Sequence, residues 1–125
     1  MIDHVSITVS NLSRAAAFYD KLLSTLGHTK LRMSDTTTGF GKTYPEFWVN
    51  LREDENAPSS GTHVALRARD IAAVEAFHKA ALQNGGMCDG PPGYRKNYHP
   101  SYYAAFIRDA DGNRIEAVTF VKEHS

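Results

Sequence analysis

A chain of 125 residues is long enough for one domain, or for two small modules sharing a core, and too short for two independent ones. Hydrophobic residues make up 42%, and Lys and Arg balance Asp and Glu at 14 each. Bulk charge therefore gives no reason to expect nucleic acid or an anionic membrane as partner. A single cysteine, Cys88, excludes an internal disulfide and fits a reducing cytoplasm.

The N-terminus, MIDHVSITVSN, lacks the basic region and apolar run of a secretory signal. No apolar run approaches the roughly 18 residues of a membrane span. From His4 to Val9 the sequence alternates, with His4, Ser6 and Thr8 on one face and Val5, Ile7 and Val9 on the other. Period two with β-branched residues predicts a half-buried strand. Asn11 and Ser13 are capping types. Ala15, Phe18, Leu22 and Leu26 then recur at helical spacing, and Gly27 supplies a left-handed stop. HTKLRMS reads as a strand, SDTTTGFGK as a turn-rich segment, and PEFWVNLRE as a strand. REDENAPSSG is a polar connection rather than a boundary between independent cores.

A second unit begins at Thr62. His63, Ala65 and Arg67 share one strand face, and Val64, Leu66 and Ala68 the other. Asp70 caps a helix carrying Ile71, Val74, Phe77, Ala81 and Leu82, closed by Gly85 and Gly86. GMCDGPPGYRKNYHPS reads as a long loop, YYAAFIRD as a strand, Asp111-Gly112-Asn113 as a hairpin turn and RIEAVTFV as the last strand. The two units are copies. His4–Gly27 and His63–Gly86 align without a gap, pairing His4 with His63, Val5 with Val64, Phe18 with Phe77 and Gly27 with Gly86. Each half is strand, helix, then about three strands.

One histidine per copy falls at the same strand position, and Glu116 lies on a face of the last strand opposite Ile115 and Ala117. If the apolar faces pack under the helices, His4, His63 and Glu116 line a common surface. Two imidazoles and a carboxylate are a donor set for a divalent metal with open positions. The same residues also read as two histidines at strand starts and an exposed terminal glutamate. GYRKNYHPSYYAAF concentrates Tyr94, Arg95, Tyr98, His99, Tyr102 and Tyr103, the mixture of aromatic walls and polar groups found in small-molecule pockets. Arg95 is suited to a carboxylate or phosphate, and Trp48 to core or a stacking wall. His28, His78 and His124 read as surface residues, Asp109 and Asp111 as turn formers, and Cys88 as incidental.

DHVSITVSNLSRAAAFY, THVALRARDIAAVEAF and FIRDADGNRIEAV together resemble the glyoxalase/bleomycin-resistance/dioxygenase (vicinal oxygen chelate) superfamily over nearly the whole chain. The resemblance implies an α+β fold of two βαβββ modules, here 1–56 and 62–125 joined by 57–61, with a cleft between curved sheets. It implies a divalent ion (Zn, Ni, Mn or Fe) on His4, His63 and Glu116, a small-molecule substrate and a homodimer. Modules in this superfamily pair within or between chains. Glyoxalase I itself has a fourth, carboxylate ligand on the last strand of its first module. Here Trp48 aligns with Glu116, and only a register shift would bring Glu46 into that place, which argues against glyoxalase I proper. The three-ligand set is similar to that of extradiol dioxygenases and fosfomycin-modifying members. The other expectation is a metal-free, bleomycin-resistance-like binding protein.

Overall fold

The computed structural model describes residues 1–53 and 62–121. The expected connection at 57–61 and His124 lie outside the described residues. The element order is β1 (Val5–Val9), α1 (Leu12–Ser24), β2 (Thr29–Met33), β3 (Thr37–Gly41) and β4 (Phe47–Leu51). It continues with β5 (His63–Arg67), α2 (Ile71–Gln83), β6 (Met87–Tyr94), β7 (Tyr102–Arg108) and β8 (Arg114–Phe120). Two four-stranded sheets result, ordered β1-β4-β3-β2 and β5-β8-β7-β6. In each the outer pair, β1 with β4 or β5 with β8, is parallel and the other pairings are antiparallel. This is the paired βαβββ architecture, α+β in class.

Local chemistry sets the helices. Asn11 accepts from the Arg14 backbone N–H and Asp70 from that of Ala73, each satisfying one donor of an exposed first turn. Beyond the helices, Gly27 and Gly85 take φ of +86° and +94°, the left-handed turn that glycine adopts without strain. The apolar stripes, Phe18, Tyr19, Leu22 and Leu23 on α1 and Val74, Phe77 and Ala81 on α2, join one core with Ile7, Val9, Phe40, Val49, Ile107 and Ile115. Burying a side chain of this size is worth about 1.5–3 kcal/mol. The sheet faces turned away from the helices carry His63, Arg67, Glu116 and Phe120 in one module and Ser6, Thr8, Trp48 and Asn50 in the other.

Two segments read as irregular are strands. Thr37–Gly41, inside the turn-rich stretch, is β3 and is almost wholly buried. It pairs on both sides, so ladder hydrogen bonds overcome the weak strand preference of its glycines. Met87–Tyr94 is β6, despite Pro91 and Pro92. It is an edge strand, and its register slips between Cys88 and Gly90 and between Gly90 and Gly93. Edge position and bulges are where prolines fit, because no ladder donor is needed there.

The turn after β7 does more than reverse the chain. The Asp109 carboxylate, 6% exposed, accepts four hydrogen bonds. They come from the Asp111 and Asn113 backbone N–H groups, from Asn113 Nδ2 (all at 2.9 Å) and from the Tyr19 hydroxyl on α1 at 2.6 Å. Asn113 Nδ2 also donates to the Thr8 carbonyl at 3.0 Å, and the Ser10 N–H to Asp111 at 3.0 Å. The Asp-x-Asp-Gly-Asn stretch thus clasps the second module to the first. Burial, and then the Asp109 charge, push the Tyr19 phenol well above its ordinary range, so it remains a donor.

Candidate functional site

Glu116 is at the centre of the second sheet's open face. Register pairs it with Ala65 on β5 and Phe106 on β7. The residue is only 2% exposed. One carboxylate oxygen lies 2.9 Å from Nε2 of His63, the distance at which the imidazole N–H donates to it. The other accepts from the Tyr102 hydroxyl. A buried carboxylate without partners would cost several kcal/mol, so these two contacts are what keep it in place. Burial, then the bond to Glu116, raise the Tyr102 phenol far above its usual range, and it stays protonated near neutrality. The His63 side chain is 51% exposed, which leaves the dyad open to a ligand.

Aromatic rings surround the dyad. His63 lies 6.1 Å from the Phe106 ring, and Tyr102 packs edge-on against Tyr98 at 5.1 Å and Phe120 at 5.3 Å. His99 meets Phe120 at 5.8 Å, and its Nδ1 accepts from the Ser101 N–H at 3.0 Å. Arg95 lies over Phe106 at 5.3 Å and Arg67 over Phe120 at 5.0 Å. Of the residues anticipated as substrate contacts, Arg95, His99 and Tyr102 therefore gather round Glu116. Tyr103 lies elsewhere: it is 8% exposed, and its hydroxyl donates to Glu75 on α2 at 3.3 Å. Strand alternation puts it on the helix side. Phe106, Phe120 and Arg67 were missed, although strand parity with Tyr102, Glu116 and His63 in turn marks each of them.

The third anticipated ligand is held apart. Nδ1 of His4 bonds the Asp3 carboxylate at 2.8 Å, and Asp3 in turn accepts from Tyr44 at 3.0 Å. Among the described residues, no three His, Cys, Asp or Glu side chains meet as a metal-binding group. His4 and His63 do share a groove of about 680 Å³, whose floor includes Leu23, Leu26, Phe40, Phe47 and Leu66. Glu46 lines this groove beside His4, one residue before β4.

The register settles what stands opposite Glu116. Trp48 pairs with Ser6, and Glu116 pairs with Ala65, the residue that aligns with Ser6 in the repeat. Trp48 is thus the first module's counterpart of Glu116. Its ring lies over Gly39, where an added Cβ would come within 2.7 Å of Cζ3. Two histidines read as surface residues are half-buried. His28 Nδ1 and His78 Nε2 are enclosed without a hydrogen-bond partner among the described residues. Burial lowers the affinity of both rings for a proton; at His28 the Lys42 charge adds to this and Glu46 opposes it.

The chain belongs to the Glyoxalase/Bleomycin resistance protein/Dioxygenase superfamily, whose family profile matches residues 1–117. It is 27% identical over 123 residues to a metallothiol transferase FosB of Shouchella clausii, covering 94% of this chain and 79% of that protein. Among solved structures it is similar to a glyoxalase/bleomycin resistance protein from Albidiferax ferrireducens, at 30% identity and a TM-score of 0.80. That match covers 93% of this chain and 95% of the other. The fosfomycin resistance protein FosX from Mesorhizobium loti shares the fold at a TM-score of 0.68 and 16% identity, over 97% and 92% of the two chains. No helix among the described residues is long and apolar enough to cross a membrane.

Proposed function

We propose that the protein is a metal-dependent enzyme acting on a small, oxygen-rich substrate, with His63 and Glu116 of one chain and His4 of a second copy as ligands. The single observation that carries this reading is the His63–Glu116 pair, an exposed imidazole 2.9 Å from a buried, Tyr102-anchored carboxylate. The pair fits a metal. Its nitrogen and oxygen are separated as neighbouring ligands bonded at about 2.0–2.2 Å would be, and the donor set accepts Zn, Ni, Mn or Fe. His4 is assigned to the partner copy because, among the described residues of one chain, it does not join His63 and Glu116 in a metal-binding group. A homodimer follows from that assignment. The likeness to a FosB metallothiol transferase supports metal dependence.

Such an ion would supply Lewis-acid stabilisation of negative charge developing on substrate oxygens. The chain's own part is positional. Tyr102 fixes Glu116, Phe106 backs the His63 ring, and the rings of Tyr98, His99 and Phe120 form a wall beside the reacting centre. Trp48 stands where a fourth, carboxylate ligand would be required, so isomerase chemistry of the glyoxalase I type is not proposed. Tag-free protein should bind about one divalent ion per chain, and Glu116→Gln or His63→Ala should remove it. Full metal content in both variants would contradict the assignment.

One observation favours a second reading. Tyr98 and Phe120 are 61% and 42% exposed, a ring surface suited to holding a molecule without transforming it. Tight, chelator-insensitive binding with no turnover in the metal-loaded protein would favour sequestration.

A further inference from the structure

Two guanidinium groups flank the Glu116 face, and neither has a carboxylate partner among the described residues. Arg52, Arg69 and Arg108 have carboxylate partners, at 3.6, 3.7 and 3.1 Å. Among the described residues Arg67 and Arg95 have none and rest on aromatic rings instead. Arg95 is firmly placed. Its Nη2 donates to the Pro91 carbonyl at 2.7 Å and its Nη1 to the Tyr94 carbonyl at 3.5 Å, and its head lies across two glycines. A Cβ at Gly90 would come 3.2 Å from Nη2, and one at Gly93 3.1 Å from Nη1. The bulged Gly-Pro-Pro-Gly segment of β6 therefore makes room for this side chain. A guanidinium stacked on a ring can offer the in-plane N–H groups that its backbone partners do not take to an oxyanion. Contacts run in an unbroken series: Arg95, Phe106, His63 with Glu116, Tyr102, Phe120, Arg67. Among the described residues the face thus holds two cations resting on rings against one carboxylate, inside a molecule of zero net charge.

We propose that Arg67 and Arg95 are specificity-determining residues, and that the substrate is a small oxyanion, a carboxylate or phosphonate, with a flat apolar body. The body lies on the Phe106–Tyr102–Phe120 wall, and the anionic head takes the free edge of a guanidinium. This inference rests on the reading of the His63–Glu116 face as the active site.

The test uses the full chain stripped of metal with chelator, titrated separately with benzoate, phenylphosphonate and the neutral analogue benzyl alcohol. Calorimetry gives affinity, and the arginine Nε–H resonances report which side chain is engaged. At least one anion should bind about tenfold or more tightly than benzyl alcohol. Whichever anion binds better identifies the head group. Arg95→Gln and Arg67→Gln should each weaken that anion about tenfold, with unchanged circular dichroism. Arg95→Lys should recover only part of the loss, because an ammonium cannot make the fork. Benzyl alcohol binding as well as the anions would overturn the proposal. So would anion affinity unchanged in both glutamine variants, or no anion binding up to about 20 mM. Because the protein is metal-free throughout, absence of a metal site would leave this result standing, and loss of anion selectivity would leave the metal assignment standing.

Discussion

Trp48 and Glu116 occupy the same place on the same strand of two copies of one module, and their surroundings have diverged to match. Glu116 faces Phe106 across the ladder, whereas Trp48 faces Gly39. In the second module a ring-lined surface holds an anchored carboxylate. In the first, a glycine makes space for an indole that covers the backbone. The histidines diverge likewise: His63 turns to Glu116, and His4 to Asp3. Both modules keep the same scaffold, while one open face carries a carboxylate ringed by aromatic side chains and the other an indole beside exposed Ser6 and Thr8.

Glu116→Ala should break that comparison most severely. It should lower metal affinity by at least about 100-fold, since loss of a supporting residue alone costs about 10- to 100-fold. Trp48→Ala, at the equivalent position, should leave metal stoichiometry unchanged. Metal titration of both variants checks the pair, and equal losses would erase the distinction between the modules.

Asp109→Ala should cost about 3 kcal/mol in denaturant unfolding. It strands the Tyr19 hydroxyl and the Asn113 donors that join the modules. Gly39→Ala should cost about 2 kcal/mol, because its Cβ would stand 2.7 Å from Trp48 and 2.9 Å from Pro45. Adding Trp48→Ala should relieve part of that cost, and a double-mutant cycle measures the coupling. Tyr102→Phe should reduce metal affinity about tenfold without loss of fold, as removal of a partner behind a ligand does.

The smallest effect concerns pH. The folded chain disfavours protonation of His28 and His78. As pH falls through the unfolded value of about 6.5, the unfolded chain takes up protons that the folded one refuses. The stability of the neutral rings, complete above that value, is lost towards the lower folded values. A His28→Gln, His78→Gln double variant should therefore show a flatter Tm between about pH 7 and pH 5 than the parent.

The repeat made the architecture legible, because each copy carries a period-two strand followed by a capped, periodic helix. β3 and β6 were illegible because Gly39, Gly41, Pro91 and Pro92 have turn chemistry, and only pairing with neighbours makes strands of them. At the site, parity put His63 and Glu116 on one face. It could not reveal that Tyr102 anchors the glutamate, because in the β7–β8 ladder Tyr102 pairs with Phe120 and reaches Glu116 only diagonally. Parity also gives no distance between His4 and His63, which depends on how whole modules meet. Asp109 and Asp111 did read as turn residues, but their bonds to Tyr19 and Ser10 span most of the sequence.

The central claim is that His63 and Glu116 of one chain share a metal with His4 of another. Mixing two inactive variants, His4→Ala and His63→Ala, before refolding tests it most directly. A site shared between copies predicts that mixed dimers regain one intact site, giving about a quarter of the wild-type metal sites in a statistical mixture. Neither variant alone should bind metal. A mixture that binds no more metal than its separate components would contradict the account.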